Sequence, residues 1–97
     1  MILERAEIFI KQGLMDEFLE VFAGRALPLT RTFSGCLSFE ALRGVEHPDS
    51  IMFLTRWESV EAHLSSRLEA DHTEFRELVL PYTTGAKETV HFAQIAD

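Results

Sequence analysis

The sequence predicts an α+β domain in the order β-α-β-β-α-β, with an antiparallel four-stranded sheet and both main helices on one of its faces. Three observations carry that expectation. The apolar period changes along the chain from two to between three and four, and back again. Turn residues stand at the changes, notably Gly13, Ser34-Gly35, Pro48-Asp49 and Gly85. The strands are apolar on both faces, whereas a sheet with one face in water alternates cleanly.

The first strand is ILERAEIFIK, Ile2 to Lys11, ended by Gly13. From Leu14 the period becomes helical. Met15, Leu19, Phe22, Ala26 and Leu29 recur at steps of four and three, with Phe18 and Val21 widening the stripe. Asp16 and Glu17 fall in the first turn, where carboxylates favour the positive helix end. Pro28 has no N–H and its ring would crowd the Gly24 carbonyl, so a kink or an early end is expected there. After Ser34-Gly35, CLSFEALR and IMFLTRW make a hairpin joined by the loop GVEHPDS.

FLTRWESVEAHL then passes from strand to helix within a dozen residues. Ser59 is placed to cap a short helix, with Glu61 in its first turn and Val60 and Leu64 on its apolar side. His63 lies one position off that stripe, on the rim or the surface. A longer helix starts between Glu69 and Asp71, carries Leu68, His72, Phe75, Val79 and Tyr82 at steps of four and three, and stops at Gly85. AKETVHFAQIA is the last strand. The order is that of a ferredoxin-like sheet.

Ile8 and Ile10 share one face of the first strand, with Leu3 and Phe9 on the other. In the third, Ile51, Phe53 and Trp57 oppose Met52 and Leu54. Two helices cannot cover both faces of four strands, so a second copy of the chain is the simplest cover and a homodimer is expected.

Composition narrows the function. The 97 residues make one domain, 1–97, with 46% hydrophobic and 10% aromatic residues, eight of them Phe. A net charge of -7 argues against nucleic acid as a partner, because such binding needs a basic face. No apolar run reaches the roughly 18–20 residues of a membrane span. The start MILERAE has neither a basic nor an apolar leader region, and Cys36 has no partner for a disulfide within the chain, so a cytoplasmic protein is expected.

His72 is the residue that suggests chemistry. On an apolar stripe an imidazole is either a core group with one hydrogen bond or a base working near neutral pH. Trp57 is either core or a platform for a flat ligand. Two Glu-x-x-His pairs, Glu69/His72 and Glu88/His91, have a metal-ligand spacing. The second lies in a strand, where residues three apart point to opposite faces, and the first lacks further carboxylates. No zinc spacing, phosphate loop or nucleophile elbow is present, so neither metal nor cofactor is expected.

GCLSFE at 35–40, RWES at 56–59, AHL at 62–64 and HTEFR at 72–76 resemble the antibiotic biosynthesis monooxygenase family, in order and spacing along the whole chain. The resemblance implies a dimeric α+β barrel, in which two ferredoxin-like sheets meet through the faces their helices leave bare. Its members include monooxygenases that oxidise phenols or quinols without metal, flavin or haem, haem-degrading enzymes and an isomerase. The Asn, Trp and His of the haem-degrading branch fall at Ala6, Ser66 and Arg76, so that activity is not expected. Many members also carry an acid two residues before the Trp of WES, and Thr55 stands there.

What the resemblance implies for this chain is a pocket edged by the RWES junction. His72 would be the base, Tyr82 or His63 a donor, and Trp57, Phe75, Val79 and Phe39 the substrate-binding wall. The expected reaction is oxidation of a small electron-rich aromatic by O2. A non-catalytic ligand-binding dimer and an isomerase that shuttles a proton on the same His are the alternatives.

Overall fold

A computed structural model of the chain describes residues 1–85 and 88–96. Four strands, β1 (Ile2–Phe9), β2 (Cys36–Arg43), β3 (Ser50–Trp57) and β4 (Glu88–Ala93), form one sheet in the order β2-β3-β1-β4. Every neighbouring pair is antiparallel. This is the ferredoxin-like arrangement that the order of elements predicts. Ile10 continues past β1 only as a single bridge to Thr83. The last strand is shorter than expected, and of its expected start residues 86 and 87 lie outside the described residues.

The first helix does not end at Pro28. Helix α1 (Met15–Val21) runs into a π-helical segment, Phe22–Ala26, and then into α2 (Leu27–Thr30). The Leu27 N–H reaches back five residues to the Phe22 carbonyl. This wider turn accommodates the proline ring and its missing donor, so the chain stays helical.

Ser59 caps α3 (Val60–Ser66) as its position suggests, accepting from the Ala62 N–H at 3.0 Å. The buried side of α3 is not the Val60/Leu64 stripe. His63 is 3% exposed and Ser66 fully buried, while Leu64 is 52% exposed. The reason is what α3 lies against: polar groups of the sheet, described below, give the His63 ring its partners. Helix α4 (Ala70–Val79) begins where expected but stops well before Gly85, passing into a 3-10 turn, Leu80–Tyr82. Pro81 cannot donate to the helical ladder, so Tyr82 leaves the stripe. Leu68, also expected on that stripe, is in the α3–α4 link and is exposed.

The helices cover one sheet face. Ala6, Ile8 and Ile10 from β1 and its end, and Ile51, Phe53, Thr55 and Trp57 from β3, are buried beneath them. Phe22 is the hub of this core. Its ring stacks on Phe53 at 5.5 Å and Phe18 at 5.6 Å, and meets Phe75 edge-on at 6.3 Å. The opposite face carries Leu3, Phe9, Met52, Leu54 and Phe92, partly or largely exposed in the single chain. Among the described residues no helix is long and apolar enough to cross a membrane.

Gly35 joins the two layers. Its φ is +77°, and a Cβ there would stand 2.7 Å from that of Ala62 in α3. Gly35→Ala therefore meets both backbone strain and a clash with a helix. We expect it to lower unfolding free energy by about 1–3 kcal/mol, read from urea melts.

Candidate active site

A cavity lies between the sheet and α4. Glu4, Ala6 and Ile8 of β1, Phe39 of β2, and Phe53, Thr55 and Trp57 of β3 form its floor and walls. His72, Phe75, Arg76 and Val79 of α4 close it, with Phe33, Leu80 and Thr83 at its margins. It encloses about 50 Å³, far less than the roughly 300–1,000 Å³ of a pocket for a drug-sized ligand. A ligand that fits is small, or opens the cavity as it enters.

Helical spacing brings His72, Phe75, Arg76 and Val79 to one side of α4. The His72 ring lies flat against Phe33, centroids 4.4 Å apart and planes 14° apart, and 6.2 Å from Trp57. Its Nδ1 is 3.2 Å from the Ser66 hydroxyl. The imidazole is thus held by a stacked ring and a polar contact from α3. Arg76 donates through Nη2 to the Arg67 carbonyl at 3.0 Å, whereas its Nη1 is buried with no hydrogen-bond partner among the described residues. A guanidinium N–H left in that state favours an acceptor.

At the other end, the Trp57 indole N–H donates to Glu4 Oε1 at 2.8 Å. The same oxygen lies 3.3 Å from His63 Nε2, and the His63 ring stacks on Trp57 with centroids 4.9 Å apart. Burial pushes the Cys36 thiol up from its ordinary value, opposed by a hydrogen bond to the Ser38 carbonyl and reinforced by the Glu4 charge. Cys36 is therefore a thiol at neutral pH rather than a nucleophilic thiolate. No group of three or more His, Cys, Asp or Glu among the described residues is arranged to hold a metal.

The family model for antibiotic biosynthesis monooxygenase matches residues 1–78. The chain belongs to this family. Among solved structures, a Bordetella bronchiseptica protein carrying the family's name is 28% identical, with 98% of this chain and 97% of that one covered and a TM-score of 0.88. One from Nitrosomonas europaea, also carrying that name, superposes with a TM-score of 0.81 at 14% identity, covering 99% and 100% of the two chains, and shares the fold. The uncharacterised Bacillus subtilis protein YczJ is 26% identical over 98% of this chain and 100% of its own.

Within the family frame, Trp57, Phe75, Val79, Phe39 and His72 all line the cavity. His63 and Tyr82 do not. His63 is buried behind Trp57 rather than on the rim, and the Tyr82 hydroxyl donates to Glu17 at 2.6 Å, away from the cavity. Sequence reasoning missed other lining residues, among them Phe33, Glu4 and Arg76. Phe33 sits in an irregular stretch with no period to reveal it. Glu4 was detectable, because the alternation that buries Ile8 and Ile10 extends back through Ala6 to Glu4. Arg76 enters the sequence reading as part of the HTEFR motif and as a departure from the haem-degrading pattern, not as a lining residue. Thr55, which replaces the acid many members of the family carry, is paired in register with Glu4. Here the neighbouring strand places a carboxylate beside that position.

The hydrogen bond that Glu17 accepts from the phenol O–H raises the Tyr82 pKa, burial and the Glu17 charge raise it further, and the Arg25 charge opposes them. A raised folded-state value gives stability that is present below the unfolded phenol value and lost as pH rises through the folded one. Tyr82 is the only tyrosine. We expect its phenolate absorbance to appear at higher pH than in a model peptide, and at lower pH in Glu17→Gln than in the unaltered chain.

Proposed function

We propose that this chain is a cofactor-independent monooxygenase that oxidises a small electron-rich aromatic of quinol, phenol or anthrone type with O2. The observation that carries the reading is His72: an imidazole held by Ser66 and Phe33 in the wall of a cavity otherwise made largely of aromatic and aliphatic side chains. Such a wall excludes water and raises the reactivity of an anion formed within it.

The chemistry balances without an external reductant. Oxidation of a ring CH2 to C=O by one O2 yields one water, and all four electrons come from the substrate. His72 takes a proton from the substrate, leaving a phenolate or carbanion. The anion passes one electron to O2, and the radical pair combines to a peroxide anion. Protonation of the peroxide and loss of water form the carbonyl. Arg76 Nη1 is the donor suited to the substrate oxyanion, a part for which Tyr82 and His63 lie outside the cavity lining. Phe75, Phe39 and Trp57 hold the ring.

Oxygen uptake by metal-free protein, tried with quinols, phenols and anthrones of one to three rings, tests this. Turnover that withstands chelation is expected. Tight binding of these compounds without oxygen uptake would favour the non-catalytic ligand-binding reading instead.

The working unit is a homodimer, with the sheet face bearing Leu3, Phe9, Met52, Leu54 and Phe92 covered by a second copy. An interface of the obligate kind buries roughly 2,000 Å² or more. Sedimentation should give a dimer at micromolar concentration, and a stable folded monomer there would refute it.

A further inference from the structure

We propose that Glu4, His63 and His91 form a proton relay connecting the cavity to solvent. Glu4 lines the cavity, and its side chain is 12% exposed. Its Oε1 lies 3.3 Å from His63 Nε2. The other nitrogen of that ring, Nδ1, lies 2.7 Å from His91 Nε2. His63 is 3% exposed, whereas His91, on β4, is exposed. One buried ring therefore contacts an acid of the cavity on one side and an exposed imidazole on the other.

The fold fixes this geometry. Glu4 and His91 are paired in register across β1 and β4, so both project from the same sheet face. Helix α3 sets His63 over them, and the Trp57 indole stacked on the ring restrains its tilt. Satisfying the Trp57 N–H requires only the Glu4 oxygen. Two imidazoles in line behind that oxygen add something a structural hydrogen bond does not: a dissociable proton at each step.

The protons can be followed atom by atom. In the starting tautomers Glu4 is a carboxylate, His63 carries its proton on Nε2, within ion-pair distance of Oε1, and its Nδ1 accepts from the Nε2–H of His91. When water protonates His91 at Nδ1, the His91 Nε2 proton moves to His63 Nδ1, and the His63 Nε2 proton moves to Glu4. One proton has entered, one has reached the cavity, and neither ring retains a charge. The reverse sequence exports a proton. The relay rests on the monooxygenase reading for its use: that reaction takes one proton from the substrate and later returns one to the peroxide. From the starting tautomers the passage in comes first and supplies the peroxide through Glu4; the proton that His72 took from the substrate then leaves through Glu4 by the passage out, and both rings regain their starting tautomers.

His91 is exposed and lies beyond residues 1–78 matched by the family model, which makes His91→Ala the variant of choice. Two measurements test it. Side-chain nitrogen NMR should find His63 protonated on Nε2 and changing tautomer as the pH is lowered, with that change lost in His91→Ala. With an aromatic that supports oxygen uptake, His91→Ala should slow turnover about 10-fold in weak buffer, and added imidazole should restore it. His63 resonances that titrate identically in both proteins would overturn the relay. So would full turnover without His91, or a loss that imidazole does not repair. A chain that consumes no oxygen with any aromatic removes the monooxygenase reading alone, and the NMR measurement then decides the relay.

Discussion

Replacing His72 by Ala is expected to lower oxygen consumption by about 10²- to 10⁴-fold, the range over which a positioned general base accelerates a reaction. Substrate binding should change much less, because the aromatic wall of Phe75, Phe39 and Trp57 remains. The competing account makes His72 a core group only. Its ring stacks on Phe33 and its Nδ1 meets Ser66, which is fully buried, so truncation also leaves a hydroxyl short of a partner. That account predicts about 1–3 kcal/mol of lost stability with activity per folded molecule nearly intact. Melting temperature and oxygen uptake measured on one sample separate the two. Stability loss with unchanged turnover would remove His72 from the chemistry.

The largest expected effect on folding is at Phe22. It is 7% exposed and touches rings from four elements, Phe18 in α1, Phe39 in β2, Phe53 in β3 and Phe75 in α4. Phe22→Ala leaves a void that these large neighbours cannot close without breaking their own stacking, so about 3–5 kcal/mol should be lost. A domain of this size typically has about 5–15 kcal/mol in total. Urea unfolding of the variant should therefore begin near zero denaturant or leave only a shallow native baseline. A loss below about 1 kcal/mol would mean that the helix shifts to refill the site and that Phe22 is not the hub.

The parts of the fold legible in the sequence are those fixed by local period. The short apolar runs IMFLTRW and ILERAEIF, bounded by turn residues, mark the strands, and the Ser59 cap marks the start of α3, because each depends only on residues nearby. The orientation of α3 was not legible for the opposite reason. Nothing in VEAHLSS indicates that a His will turn inward while Leu64 faces out; that follows from Glu4 and His91, residues 59 positions before and 28 after His63, meeting beneath the helix. The place of Tyr82 is set by Pro81, which ends the four-and-three pattern of α4 and turns the chain into a 3-10 segment. The aromatic wall was largely readable because apolar residues on helix and strand faces converge wherever the two layers meet. The polar half of the site was less so, because a charged residue on a buried face reveals its purpose only when its partner is known.

The wide turn at Phe22–Ala26 has a consequence for phase. The residues of this helix that bury most deeply are Phe18, Phe22, Ala26 and Thr30, a row spaced at four throughout. On a regular α-helix a step of four overshoots one turn by about 40°, so three such steps would carry Thr30 about 120° around from Phe18. One residue absorbed by the π-helical turn sets the row back by about 100°. The row therefore runs nearly straight along the sheet, and the segment acts as a phase correction. Shortening it by a single residue would rotate everything after it by more than a quarter turn, swinging Ala26 and Thr30 off the core while Phe18 and Phe22 stayed in place.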